Sequence, residues 1–179
     1  VPEDVVLHID EAGASVEFGG NIVLHAGVAG RPIKRVVSHH GSVSLASATE
    51  AECVEAHGDI TVLGALRAEL VRAGGGLRVG GNLEAACVHV EGNLHVGGAL
   101  TVAELTVAGQ LTVEGPAVMQ TPTLAGDAVF HGDVTANVLR ARSFAFNSGT
   151  LTARGVQAEV SVAIGDVRLQ VDAIVAPEV

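Results

Sequence analysis

Glycine returns at Gly58, Gly75, Gly92, Gly109 and Gly126, and again at Gly64, Gly81, Gly98, Gly115, Gly132 and Gly149, so two interleaved series both step by 17 residues. A short fixed period means one small unit stacked many times, each too small to bury its own apolar face and dependent on its neighbours. The chain is therefore predicted to be a solenoid.

The apolar residues inside one repeat give its shape. In Gly92 to Ala108, Leu94 and Val96, Leu100 and Val102, and Leu105 and Val107 form three pairs, each spaced two residues apart. Alternation of this kind sends one set of side chains inward and the other outward, the pattern of a half-buried strand. Three pairs per repeat predict three short strands and a three-sided coil. The same slots recur as Ile60, Val62, Leu66, Ala68, Val71 and Ala73, and as Leu77, Val79, Leu83, Ala85, Val88 and Val90. The expected fold is an all-β, three-sided parallel β-helix of period 17 with about ten coils, a rod about 45 to 50 Å long at the usual strand spacing. One solenoid domain spans residues 1–179: a ragged first coil over 1–19, a coil with a four-residue insertion over 20–40, regular coils over 41–159, and a terminal coil and tail over 160–179. Glycine at the corners is expected to supply positive φ.

Composition restricts the function. Of 179 residues 48% are hydrophobic but only 2% aromatic, which fits a narrow aliphatic interior and not a sugar-binding groove. Ten basic against 20 acidic side chains leave a net charge of −10, which argues against nucleic-acid partners because Lys and Arg supply that affinity. Cys53 and Cys87 occupy the same slot two coils apart with Leu70 between them, beyond disulfide reach. Free thiols suit a reducing compartment. No apolar run has the length of a membrane-spanning helix, and no signal segment opens the chain.

Departures from the repeat are the places to look for function. The insertion gathers Arg31, Lys34 and Arg35, three of the ten basic residues, between Gly30 and Arg35. It is expected to protrude as a loop able to touch an acidic partner or a lipid head-group surface. His40 and His57 share the last slot of adjacent coils, and His8 and His25 share another. Two imidazoles one strand spacing apart make an incomplete metal site, with Glu55 or Asp59 the nearest further donors, so an exposed ladder is the expectation and no metal site is predicted. In SFAFNSG, from Ser143, strict register turns Phe144 and Phe146 outward and buries Asn147. A one-residue slip, compensated before Leu151, would bury both rings and expose Asn147. The alternative is an exposed aromatic contact patch. Arg67 with Glu84 and Glu55 with Arg72 fall at equivalent slots of adjacent coils and read as cross-strand pairs that tune register. No phosphate-binding loop, Cys-x-x-Cys, His-Glu-x-x-His or nucleophile elbow is present, so no catalytic residue or cofactor is predicted and the chain is read as a non-enzyme.

The glycine-flanked, Val- and Leu-rich coils GDITVLGAL, GGLRVGGNL, GNLHVGGAL and GQLTVEG resemble the bactofilins, bacterial polymer-forming cytoskeletal proteins. The resemblance implies a right-handed β-helix that polymerises end to end without nucleotide, in the cytoplasm or at the inner face of the membrane, as a scaffold for other proteins. Physical chemistry supports assembly separately, because each end of a solenoid exposes a row of unpaired backbone groups unless it is capped. No cap is evident in the sequence. The expected contacts are Val5, Leu7 and Ile9 in the first coil and Val162, Ile164, Val167, Leu169 and Val171 in the last, the partner being the chain itself. Whether first meets last or like meets like is left open.

Two other classes remain. A hexapeptide-repeat acyltransferase is also a three-sided prism with a protruding loop, and here His25 lies beside the insertion, but such coils place one inward aliphatic on each six-residue side where this chain places two. A secreted adhesin or fibre stalk would use the solenoid as a spacer.

Overall fold

The computed structural model describes residues 6–10, 13–24 and 33–175, with side chains from Ala14 onward. Among them every element is a strand. In chain order these are β1 (Val6–Asp10), β2 (Gly13–Phe18), β3 (Ile22–Leu24), β4 (Ile33–Ser38), β5 (Val43–Leu45), β6 (Thr49–Ala56), β7 (Ile60–Val62) and β8 (Leu66–Ala73). They continue as β9 (Leu77–Val79), β10 (Leu83–Val90), β11 (Leu94–Val96), β12 (Leu100–Val107), β13 (Leu111–Val113), β14 (Ala117–Leu124), β15 (Asp127–Phe130) and β16 (Val134–Val175).

The chain is a parallel β-solenoid. Long strands stack on long strands from β2 to β14, short strands on short strands from β3 to β15, and β16 closes both rows by pairing with β14 and β15. In the middle of the stack Leu83 pairs with Leu66 and Leu100, and Leu94 with Leu77 and Leu111, all 17 residues apart. Parallel stacking in register puts each inward aliphatic directly over its counterpart, so Leu77, Leu94 and Leu111 form one column and Val71, Val88 and Leu105 another, all at most 1% exposed.

Up to β15 each turn has two strands, not the three expected. The pairs Leu100 with Val102 and Leu105 with Val107 belong to one eight-residue strand whose two middle residues, Ala103 and Glu104, both face away from the core. The strand bends there without breaking because no glycine or proline interrupts it. Breaks fall where glycine stands, after Val96 and after Val107.

The stack has about seven turns where ten coils are predicted. Both ends account for the difference. At the front, β1 turns back antiparallel on β2 instead of making a coil. At the back, β16 runs from Val134 to Val175 without a further short strand, and no described residue beyond Val156 is buried.

The corner glycines are needed for a reason other than the one expected. Gly149 has a positive φ, 100°, and no other described glycine does. Gly92 instead lacks room: a Cβ there would stand 2.8 Å from the carbonyl carbon and oxygen of Gly75 in the turn below. Tight corners stacked at strand spacing leave no space between successive backbones.

Candidate functional site: the open end of the stack

The side chains expected at the C-terminal contact all lie on the last stretch of β16. Val162, Val167 and Val171 are half-buried and pack against the core, while Ile164 and Leu169 are each 43% exposed. Val160, Ile174 and Val175 are exposed as well. The sequence reading missed these three, although Ile174 follows the buried Val156 by 18 residues and so continues an inward column.

The stretch sits on the turn below with a step of 18. A Cβ on Gly165 would lie 2.6 Å from the carbonyl oxygen of Asn147, and the Thr152 hydroxyl reaches Gln170 Oε1 at 3.5 Å. The same step places Ile164 over Phe146 and Leu169 over Leu151. Beneath is an aromatic layer: Phe130 and Phe144 each stack on Phe146, with ring centroids 5.5 Å apart.

That layer exists because of the one-residue slip. Ala128 pairs with Phe144 and Phe130 with Phe146, 16 residues apart instead of 17, so both rings turn inward and Asn147 is exposed. Gly149, with its positive φ, lies in the segment where the lost residue is restored, and the Thr150 amide again reaches Asp133 Oδ1 at 2.7 Å, 17 residues back. The exposed aromatic patch is thereby excluded.

The N-terminal end is different. Val5 lies outside the described residues, and Leu7 and Ile9 belong to β1, which covers the outer edge of β2. The long row is therefore capped at this end, contrary to expectation, while the short row begins with β3, whose Val23 is exposed.

The insertion divides. Leu24 stacks on Leu45 and Ile33 on Ala51, so the segment between those slots carries three extra residues in this turn, within the stretch outside the described residues. The fourth enters the corner between Ser38 and Val43. Buried Ser38 accommodates it, donating its hydroxyl to the Gly20 carbonyl at 2.7 Å and accepting the Gly41 amide at 3.0 Å. Arg31 lies outside the described residues, and Lys34 and Arg35 are strand residues of β4, not loop residues. Lys34 bulges where Ala14 pairs with Ile33 and Ser15 with Arg35.

Histidines gather at the added corner. The rings of His40 and His57 stand 6.5 Å apart, as do those of His39 and His40, and His39 Nε2 lies 2.6 Å from Glu17. His25 and the His8 side chain are outside the described residues. The nominated further donors are engaged elsewhere: Glu55 accepts from the Cys53 thiol at 3.1 Å and Asp59 from the Gly76 amide at 2.6 Å. Among the described residues no group of three His, Cys, Asp or Glu is arranged to hold a metal.

Cys53 and Cys87 are both free and flank Leu70 across the ladder. Burial, aided by the Glu55 hydrogen bond and charge, pushes the Cys53 thiol up to about 12, away from nucleophilic chemistry. Arg67 and Glu84 form an ion pair at 3.6 Å, whereas Glu55 and Arg72 are register partners that do not close to one. No helix among the described residues is long and apolar enough to cross a membrane.

No family model matches the chain, and neither does any curated protein or solved structure.

Proposed function

We propose that this chain is a structural protein that assembles end to end into filaments without nucleotide, a three-sided and right-handed prism of the kind the bactofilin-like repeats imply. Cytoplasmic scaffolding, at the inner face of the membrane or free of it, is the cellular role that goes with this reading.

The observation that carries it is the half-exposed apolar row at the end of β16. Ile164 and Leu169 continue columns that are closed in the turns below, and among the described residues nothing is stacked above them. Burying a fully exposed leucine or isoleucine is worth about 1.5–3 kcal/mol, so a second copy that covers the 43% still exposed on each gains roughly 0.6–1.3 kcal/mol apiece. A strand edge left open at this end would add N–H and C=O groups that favour a β-partner.

Electron microscopy of the purified protein at several concentrations, without nucleotide or metal, tests the proposal. Uniform filaments one solenoid wide are expected. In the Leu169→Arg variant they should be lost, because a buried unpaired charge costs several kcal/mol, while the fold persists because the site is open in the monomer. Monodisperse short rods at every concentration would overturn the reading, and filaments unchanged by Leu169→Arg would move the contact off this face.

A further inference from the structure

The two ends of the solenoid are finished differently, and the difference falls on a single strand. All the other strand pairings in the described sheet are parallel, whereas β1 lies antiparallel on β2, with Val6 opposite Glu17 and Asp10 opposite Gly13. Five of the six residues of β2 are covered in this way. Among the described residues the short row receives no such cover at its first strand, β3. At the other end, the last stretch of β16 leaves its apolar residues half-exposed.

A second copy that continued the long-strand row past β2 would have to pair with the edge that β1 already holds. We propose that β1 is a displaceable cap on the N-terminal end face, and that the partner it excludes is a second copy of this chain. The inference rests on the self-assembly reading above and adds the element that limits it.

Topology makes β1 both a strong competitor and a removable one. Only residues 11 and 12 separate it from β2, and so short a tether gives an effective concentration in the millimolar range, which a free copy at micromolar concentration does not match. A five-residue edge strand held by one hairpin is nevertheless only marginally stable, while β2 keeps its parallel partner β4 on the other side. Its outer edge is a poor substitute for that of β2, being shorter than the eight-residue strands of the middle turns and opposite in direction. Capped molecules would join at most in pairs through their β16 faces, and growth into filaments would wait until β1 is pulled away or the protein is concentrated enough to replace it.

The test moves β1 in both directions. One variant deletes residues 1–12. The other keeps the full chain and replaces His8 and Ser15, which stand directly opposite each other, with cysteine in a Cys53→Ser, Cys87→Ser background, so that oxidation locks the strand in place. Opposed residues of an antiparallel pair have Cα atoms within disulfide range. The concentration at which sedimentable assemblies appear is measured for each, with circular dichroism confirming the β-fold.

Deletion should lower the threshold about tenfold or more, and the oxidised lock should raise it by a similar factor, with reductant restoring the original value. Equal thresholds in all forms would overturn the cap and leave self-assembly standing. Absence of assembly in every form at every concentration would overturn self-assembly and the cap with it. If the deletion variant fails to fold, the locked chain decides: a threshold that oxidation does not raise overturns the proposal.

Discussion

The middle of the stack and its last stretch are built from the same residue types on nearly the same period, yet they meet water differently. Leu105, Val107, Leu111 and Val113 are fully buried, while Ile164 and Leu169 are 43% exposed. The side chains do not account for the contrast; a turn above and a turn below do. In a solenoid an inward residue is buried by its neighbours along the axis, so its worth depends on position in the stack. Truncating both kinds of residue should show this most strongly. Leu105→Ala removes atoms from a column closed on both sides and is expected to cost about 2–5 kcal/mol in urea unfolding. Leu169→Ala, measured on protein too dilute to assemble, should cost about 1 kcal/mol or less. Equal costs would mean that the last stretch is covered in solution, and the contrast between the two regions would vanish.

The backbone provides a second contrast of intermediate size. Gly92 lies in a corner pressed against Gly75, and Gly92→Ala forces its new methyl into that backbone, for an expected loss of about 1–3 kcal/mol. Gly155 lies near the end, where the nearest atoms to an added Cβ, the Ala173 carbonyl oxygen and Val138 Cγ1, are 3.9 Å away. Gly155→Ala should be neutral or stabilise by about 0.4–1 kcal/mol through the unfolded chain. A thermal denaturation midpoint that fell equally in both variants would mean that Gly155 is packed as tightly as Gly92.

Much of this was legible in the residues. The 17-residue step, the inward columns and the Phe144–Phe146 slip all follow from period-two alternation, because burying aromatics and exposing Asn147 has a large free-energy preference. What was not legible was local. Nothing in the spacing of Val102 and Leu105 distinguishes a bend from a break, so one long strand reads as two. The fourth inserted residue is absorbed by Ser38, whose role depends on two backbone groups, Gly20 and Gly41, brought to it by the turn. The reversal of β1 escaped because Val5, Leu7 and Ile9 alternate in the same way whichever direction the strand runs. The alternating apolar run at the end of β16 was readable, although Val160, Ile174 and Val175 were missed by ending the pattern at Val171.

The smallest expected effect concerns the outer layer, and it bears on whether the apolar columns alone separate the two regions. Arg67 and Glu84 stand on adjacent middle turns at 3.6 Å with both side chains more than half exposed. Water screens such a pair, and a double-mutant cycle of Arg67→Ala with Glu84→Ala should give a coupling of a few tenths of a kcal/mol that shrinks as salt is raised. Glu55 and Arg72 have the same register relation but no closed contact, and Glu55 accepts from the Cys53 thiol instead, so their coupling should be smaller still. Both results would leave the stability of the middle turns to the columns inside. A coupling above about 1 kcal/mol for Arg67 and Glu84 would instead assign part of it to the charged surface. The end face would then differ from the middle in its outer layer as well as in its missing neighbour.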